Sequence, residues 1–254
     1  MALSRKDKIR KLLKGIETGD PDAAAVVSSE RYIQHNPQTR EGGEGLAALF
    51  KRLSKTSPRV NLVRVFEDQD FVFAHTEYDF ATRKIGFEVF RYDGDHAVEH
   101  WDNIQERRGP NPSGRSMVDG PTQAVDHALT ETNRALVASF VERVLIGGQT
   151  DRLDEYIGGE SFAQHNPSML DGTASLRSAL TARDGARDVI RYERVHRVLA
   201  EGSFVLSACE GQHHGRPTAF YDLYRIHEGQ LAEHWDTVEE IPPPTEWKNS
   251  NGKF

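Results

Sequence analysis

The chain of 254 residues has a single cysteine, Cys209, so it can form neither an internal disulfide nor a zinc site built on paired thiolates. It also lacks a long apolar run. Nowhere do about 18–20 apolar residues follow one another, which excludes a helix that spans a bilayer. Basic charge is in deficit: 32 Lys and Arg stand against 39 Asp and Glu, a formal net charge of −7. A nucleic-acid binder needs a net basic face, so that partner class is disfavoured. The opening stretch MALSRKDKIRKLLKGIETGD is charged and without the apolar core of about 7–15 residues found in a secretory signal. With the lone cysteine, it predicts a reducing cytoplasm. Several catalytic signatures are missing as well: there is no GxSxG elbow, no Walker A loop and no GxGxxG. The glycines of Glu41-Gly42-Gly43-Glu44-Gly45 precede a helical pattern, but no basic residue follows at P-loop spacing. Nucleotide hydrolysis and hydride transfer are disfavoured, and no cofactor is expected.

What the chain does have is ordinary globular composition, with 37% hydrophobic residues and 21 glycines. Its length favours two small domains, and an internal repeat says how they are arranged. The stretch YIQHNPQTREGGEGL (residues 32–46) returns as FAQHNPSMLDGTASL (162–176). Further on, FEVFRYDGDHAVEHWDNIQ (87–105) returns as YDLYRIHEGQLAEHWDTVE (221–239). Two blocks in the same order indicate a duplicated domain of about 110 residues, close to the usual size for one core. Residues 1–108 form the first copy and 124–241 the second. The Pro-, Gly- and Ser-rich stretch 109–123 reads as a linker, and 242–254 as a surface tail in which Trp247 docks against a groove.

Each copy changes period in the same way. Ile9, Leu12, Leu13 and Ile16 are spaced as one face of a helix that ends at Gly19-Asp20-Pro21. Leu136, Val137, Phe140, Val141, Val144 and Leu145 repeat that face before Gly147-Gly148. Short second helices are expected at 22–28 and 151–157, and third helices at 45–53 and 174–182. Extended segments follow at 60–66, 71–80, 84–92 and 96–105, with turns at 67–70 and 93–95 between them. Helices first and a meander of strands afterwards is an α+β layout. Helices on one face of a curved sheet leave a cone suited to a small molecule.

Three constellations carry the candidate chemistry. In Gln34-His35-Asn36-Pro37, repeated as Gln164-His165-Asn166-Pro167, the Asn-Pro pair ends a short strand and launches the third helix with Asn as its cap. The sequence leaves even whether His35 and His165 face the cavity. In Glu99-His100-Trp101-Asp102, repeated as Glu233-His234-Trp235-Asp236, residues two apart on a strand share a face. His100 and Asp102, and likewise His234 and Asp236, therefore point together into the cone as an acid–base pair. One strand earlier, Glu88 and Asp222 place a carboxylate in an apolar, aromatic segment, where burial moves a carboxyl toward proton-transfer work. Arg91 and Arg225, three residues on, fall on the outer face. The copies differ at His75, a third histidine found in the first copy alone. His35, His75, His100 and Glu88 could together hold a metal, but they come from four segments without HxH or HExxH spacing, and no metal is expected.

QHNP after a helical pair, a Gly-rich entry to the third helix, an acid-hydrophobe-aromatic-Arg strand, a turn and EHWD together resemble SnoaL-like proteins of the nuclear transport factor 2-like superfamily. The pattern covers nearly all of both copies. The resemblance implies two tandem cystatin-like cones, helices packed on a curved antiparallel sheet, that pair through the outer faces of their sheets as an intramolecular pseudo-dimer. It leaves both a monomer and a homodimer of the whole chain open. Members of the family include polyketide cyclases that close a ring by an intramolecular aldol reaction without cofactor or metal. Relatives isomerise ketosteroids, hydrolyse epoxides or only bind ligands. Asp102 and Asp236 match the last-strand Asp that serves those cyclases as general acid and base. The preceding-strand histidine of the family is replaced by Glu88 and Asp222. The combined expectation is a cofactor-independent acid–base enzyme acting on a small, partly apolar carbonyl compound. A non-catalytic small-molecule binder is the alternative, and a metal-dependent enzyme ranks third.

Overall fold

Ser4 starts the first helix by accepting the backbone N–H of Asp7 on its hydroxyl at 3.1 Å, which satisfies one of the donors a helix start leaves open. In the computed structural model, which describes residues 3–254, this helix (α1, Arg5–Thr18) buries Ile9, Leu12, Leu13 and Ile16. The stripe is the one that the spacing of these residues predicts. Gly19 then ends the helix, its N–H bonded to the carbonyl of Gly15. The chain divides by its contacts into two units. The first runs to Glu106 and adds Pro242–Phe254; the second is Arg107–Ile241.

In the first unit, α1 is followed by α2 (Pro21–Ala24), a two-residue strand β1 (Ile33–Gln34), α3 (Gly42–Leu53) and the strands β2 (Arg59–Asp68), β3 (Phe71–Asp79), β4 (Arg83–Asp93) and β5 (His96–Glu106). The sheet order is β1-β5-β4-β3-β2. The long strands are antiparallel neighbours in chain order, and β1 joins the edge of β5 in parallel. Register shifts at Leu62/Arg64 and at Arg91/Tyr92 bend the sheet. The helices cover its concave face, where Ile9, Leu12, Val60, Val72, Phe90 and Ala97 belong to one apolar core.

The second unit repeats this plan. Its helix α4 (Thr130–Phe140) continues over Val141–Ile146 with a wider turn, in which the N–H of Gly147 reaches the carbonyl of Glu142. There follow α5 (Leu153–Tyr156), β6 (Ala163–Gln164), α6 (Thr173–Thr181), a small hairpin of β7 (Arg183–Asp184) and β8 (Arg187–Asp188), and β9 (Ile190–Glu201), β10 (Phe204–His213), β11 (Arg216–His227) and β12 (Gln230–Glu240). The sheet order β6-β12-β11-β10-β9 is that of the first unit. Both units are thus α+β, each with a five-stranded sheet. No helix among the described residues is long and apolar enough to cross a membrane.

Two expectations need correcting. Asn36 and Asn166 do not cap a helix. Their side-chain oxygens accept the N–H two residues on, from Gln38 and Ser168, in local turns, and α3 begins only at Gly42. The segments 109–123 and 242–254, read as linker and surface tail, are bonded to the units at defined points. Asn111 donates to the carbonyl of Gln164 at 2.6 Å, and Asp119 accepts from the indole of Trp235 at 2.9 Å. Asn249 and Asn251 make the matching bonds in the first unit, to the carbonyls of Asn36 and Gln34. Trp247 donates to the carbonyl of Pro242, within the tail, which is fastened instead by these amides together with Lys248 on Pro37, Gly252 on His35 and Lys253 on Asp102. These amides complete the outer edge of a two-residue strand whose carbonyls would otherwise lack partners.

Gly15 lets α1 and α2 approach closely, because a Cβ there would overlap the Cβ of Ala23 and crowd the ring of Phe50. Gly43, also helical, faces open space. Gly43→Ala is therefore expected to stabilise the protein by about 0.5–1 kcal/mol. Gly15→Ala should destabilise it by about 1–3 kcal/mol despite the same gain in helix propensity. Urea unfolding midpoints of the two variants against the parent check the opposite signs.

Candidate active site

The two repeated tetrapeptides meet side chain for side chain. Parallel pairing sets Ile33 opposite Glu99 and Gln34 opposite His100, and from that register three contacts follow. Gln34 Oε1 meets His100 Nδ1 at 2.9 Å. His35 Nε2 meets Glu99 Oε1 at 3.0 Å, with its ring stacked on Trp101 at 4.7 Å. Asn36 donates from Nδ2 to Asp102 Oδ2 at 2.5 Å. In the second unit Gln164, His165 and Asn166 make the same contacts with His234, Glu233 and Trp235, and Asp236.

Alternation along β5 sorts these residues onto two faces. His100 and Asp102 point to the concave side with Glu88, which lies opposite Asp102 in the register. His35 does not join them. Its contacts with Glu99 and Trp101 put it on the convex face, where Arg91 also bonds Glu99 at 2.8 Å. His165 has the same place in the second unit, beside Glu233 and Arg225. His75 is likewise on the convex face, stacked on Phe87 with its Nδ1 3.0 Å from Arg64. None of these three histidines completes the cavity-facing polar set: His35 and His165 lie with Glu99 and Glu233, on the face opposite His100 and His234, and His75 is opposite Phe87, one residue out of phase with Glu88. Arg91 and Arg225 are outside, as strand parity predicts.

Inside the first unit the hydrogen bonds define where protons can be. Gln34 Oε1 accepts the backbone N–H of Asn36 at 2.8 Å, so its carbonyl end faces His100 and the imidazole carries a proton on Nδ1. The other nitrogen, Nε2, lies 2.7 Å from Glu88 Oε2. Tyr78 donates to the second oxygen of Glu88 at 2.5 Å. One proton is therefore shared between His100 and Glu88. Asp102 lies next to this pair with its Oδ1 free of hydrogen bonds, and Lys253 Nζ approaches that oxygen to 3.6 Å. Glu88, His100 and Asp102 are all buried.

The same construction in the second unit joins His234 to Asp222 at 3.0 Å. Burial opposes the charge on His234, but the hydrogen bond and charge of Asp222, with the charge of Asp236, outweigh it and raise its pKa. Burial raises that of Asp236, and the charge of Asp222 adds to the effect. Among the described residues, Glu88, His100 and Asp102, and separately Asp222, His234 and Asp236, bring possible metal-ligand atoms within 4.8 Å of one another. A cation at either trio would have to displace the proton shared by imidazole and carboxylate, since Nδ1 is committed to the glutamine.

The units differ in access. In the first, a cavity of about 230 Å³ is lined by Glu88, His100 and Asp102 at one end and by apolar residues including Leu12, Leu46, Phe50 and Ile104. On β4, Gly86 packs closely: a Cβ there would press on Thr76, Tyr78 and Ile104 at 3.1–3.2 Å. The second unit has Phe220 at the matching position, its ring tilted against that of Tyr192 with centroids 4.4 Å apart. A cavity of about 280 Å³ there ends at Tyr192 and is lined by none of Asp222, His234 and Asp236. The phenol on the strand carboxylate has also moved. It comes from β3 in the first unit (Tyr78) and from β9 in the second (Tyr192, 3.2 Å from Asp222). Tyr32, which lines the first cavity, was not foreseen, although its replacement by Phe162 in the second copy marks it in the sequence.

Residues 9–129 match the SnoaL-like domain family. No curated protein matches the chain in sequence. Among solved structures, TsrD from Streptomyces laurentii is similar at 19% identity and a TM-score of 0.36, over 41% of this chain and 92% of that one. IdmH from Streptomyces antibioticus, described as a candidate polyketide cyclase, is similar at 14% and 0.36, over 41% and 93%. An LEH-like epoxide hydrolase of M. tuberculosis is similar at 16% and 0.35, over 40% and 82%. Each spans about one unit of the chain.

The convex-face carboxylates allow a test of the motif pairing. Burial works against the charge of Glu233, but hydrogen bonds from His165 and Arg225 prevail and hold its pKa below the usual carboxylate value. The stability this contributes is complete above that ordinary value, about 4.3, and is lost as pH falls through the lower native one. Glu233→Gln should therefore cost about 1–3 kcal/mol at pH 7, with a smaller difference from the parent at pH 3.5. Urea unfolding at the two pH values checks this.

Proposed function

We propose that the first unit, which lies mostly within the stretch 9–129 that matches the SnoaL-like domain family, is a cofactor-independent acid–base catalyst acting on a small, partly apolar carbonyl compound, of the aldol-cyclase or isomerase type. The family and fold accommodate several chemistries and do not choose among them. The observation that carries the choice is Asp102: a buried carboxylate that lines the cavity, with one oxygen held by Asn36 and the other free of hydrogen bonds. A base needs a fixed orientation and one unoccupied lone pair. Asp102 takes a proton from the carbon next to the carbonyl, and the electron pair moves onto the carbonyl oxygen as an enolate. The proton shared by His100 and Glu88 is within the same cluster and can be delivered to that enolate or recovered from it. Tyr78 keeps Glu88 in place through the step. Apolar walls exclude water and strengthen each of these interactions.

The second unit keeps the same trio behind Phe220 and Tyr192. In this reading it serves the fold, and turnover belongs to the first unit. The pair of His234 with Asp222 holds β12 to β11, and those of Gln164 with His234 and Asn166 with Asp236 hold the β6 segment to β12.

Exchange of the α-hydrogens of 2-tetralone in D2O, followed by NMR, tests proton abstraction without knowledge of the natural substrate. The parent protein is expected to accelerate exchange, and Asp102→Asn to lower the catalysed rate about 10²–10⁴-fold. Asp236→Asn should leave it unchanged. Equal rates for Asp102→Asn and the parent would refute the assignment, and binding of the ketone without exchange would make the unit a binding module.

A further inference from the structure

The polar groups of the first cavity are unevenly distributed. Its inner end has the carboxylates of Glu88 and Asp102, both buried and partnered. Beside them lies Tyr32, 4% exposed and stacked with His100 at 6.4 Å, whose hydroxyl has no hydrogen-bond partner. A phenol buried without a partner costs free energy unless a ligand supplies an acceptor. Toward solvent the lining includes Arg52, exposed near the end of α3, and Lys84, half-buried at the start of β4. Neither side chain has a hydrogen bond or an ion pair among the described residues. Between the two ends the wall is mostly apolar, including Leu46, Phe50, Phe80 and Ile104, with Gln38 and Thr39 as uncharged polar members.

From this gradient we infer that the first cavity binds an apolar carboxylic acid that carries a second, uncharged oxygen. The oxygen accepts a hydrogen bond from Tyr32 at the inner end, and the carboxylate is held by Arg52 and Lys84 at the mouth. The orientation follows from charge. The cationic groups at the inner end are already engaged by carboxylates, Lys253 with Asp102 and the His100 imidazole with Glu88, whereas Arg52 and Lys84 at the rim are unpaired and attract an anion. Burial, with the charges of Glu88 and Asp102, pushes the Tyr32 pKa well up, so the phenol remains a donor at every physiological pH. The second copy removes all three groups together: Phe162, Ala182 and Thr218 stand at the positions of Tyr32, Arg52 and Lys84. Loss of the whole set where Phe220 fills the cone fits one ligand requirement, present in one unit and released in the other.

The inference rests on the reading of this cavity as a ligand site, and two matched probes separate the two. In both 2-naphthol and 6-hydroxy-2-naphthoic acid, the aryl oxygen stands in for the enol oxygen of a substrate, and only the second carries a carboxylate. Fluorescence titration of the full chain should show the acid binding about fivefold or more tightly than the naphthol. Arg52→Gln with Lys84→Gln should remove that advantage and leave 2-naphthol unaffected. Arg52 is exposed and Lys84 half-buried at a strand end, and neither is paired, so the double variant is expected to fold. Tyr32→Phe, a change the second copy already tolerates, should weaken both probes about two- to tenfold. Equal binding of the two probes to the parent would overturn the recognition of an acid while leaving the cavity as a ligand site. An undiminished affinity in Tyr32→Phe would overturn the assignment of the donor. Failure of both probes to bind would remove the ligand site itself, and the inference with it.

Discussion

A parallel pairing only two residues long sets the chemistry of each unit. By placing Gln34 opposite His100, it brings each member of Gln-His-Asn against a member of Glu-His-Trp-Asp. It fixes the imidazole tautomer, ties the last-strand Asp to an amide and binds the edge of the sheet on both faces. A slip of one residue would exchange the faces and leave buried carboxylates and imidazoles without partners. The cost of such unpaired groups exceeds what any single hydrogen bond here contributes, so the register is strongly specified. That constraint accounts for the recurrence of both tetrapeptides in a chain whose halves differ widely elsewhere.

The copies show which parts of the arrangement are free to change. The shared-proton pair needs a hydroxyl on the strand carboxylate, yet the tyrosine can come from either of two adjacent strands. Tyr78 lies opposite Val60 in the first unit, and Tyr192 opposite Gly211 in the second. The two solutions differ in what they leave above the carboxylate. In the first the carboxylate lines a cavity with Tyr78; in the second the rings of Phe220 and Tyr192 meet beside it. Filling a cavity this way brings packing contact and gives up room for a ligand, so the same polar cluster can support catalysis in one context and structure in the other.

Much of the architecture was legible in the chain itself. Helical spacing placed α1 and its buried stripe, alternation and turns placed the four long strands, and parity along β5 put His100 and Asp102 together on the inside with Arg91 outside. The histidines of QHNP were not legible. A strand of two residues gives no alternation to read, so nothing local showed that His35 would turn toward Trp101. His75 was misplaced for a related reason. The register shift in β2 and the crowded aromatic face give it a partner, Arg64, that lies on another strand.

The chain alone was enough to reveal an internal repeat, an α+β plan in each copy, and an imidazole and a carboxylate on one face of the last strand. Those properties follow from period and repetition, which are local. Tertiary structure alone decided that Asn251 and Asn111 complete the strand edges, that Tyr32 is left without a partner beside the carboxylates, and that one cone is open while the other is filled. Each of these depends on volumes and hydrogen-bond partners contributed by segments far apart in the chain, and no pattern within one segment contains that information.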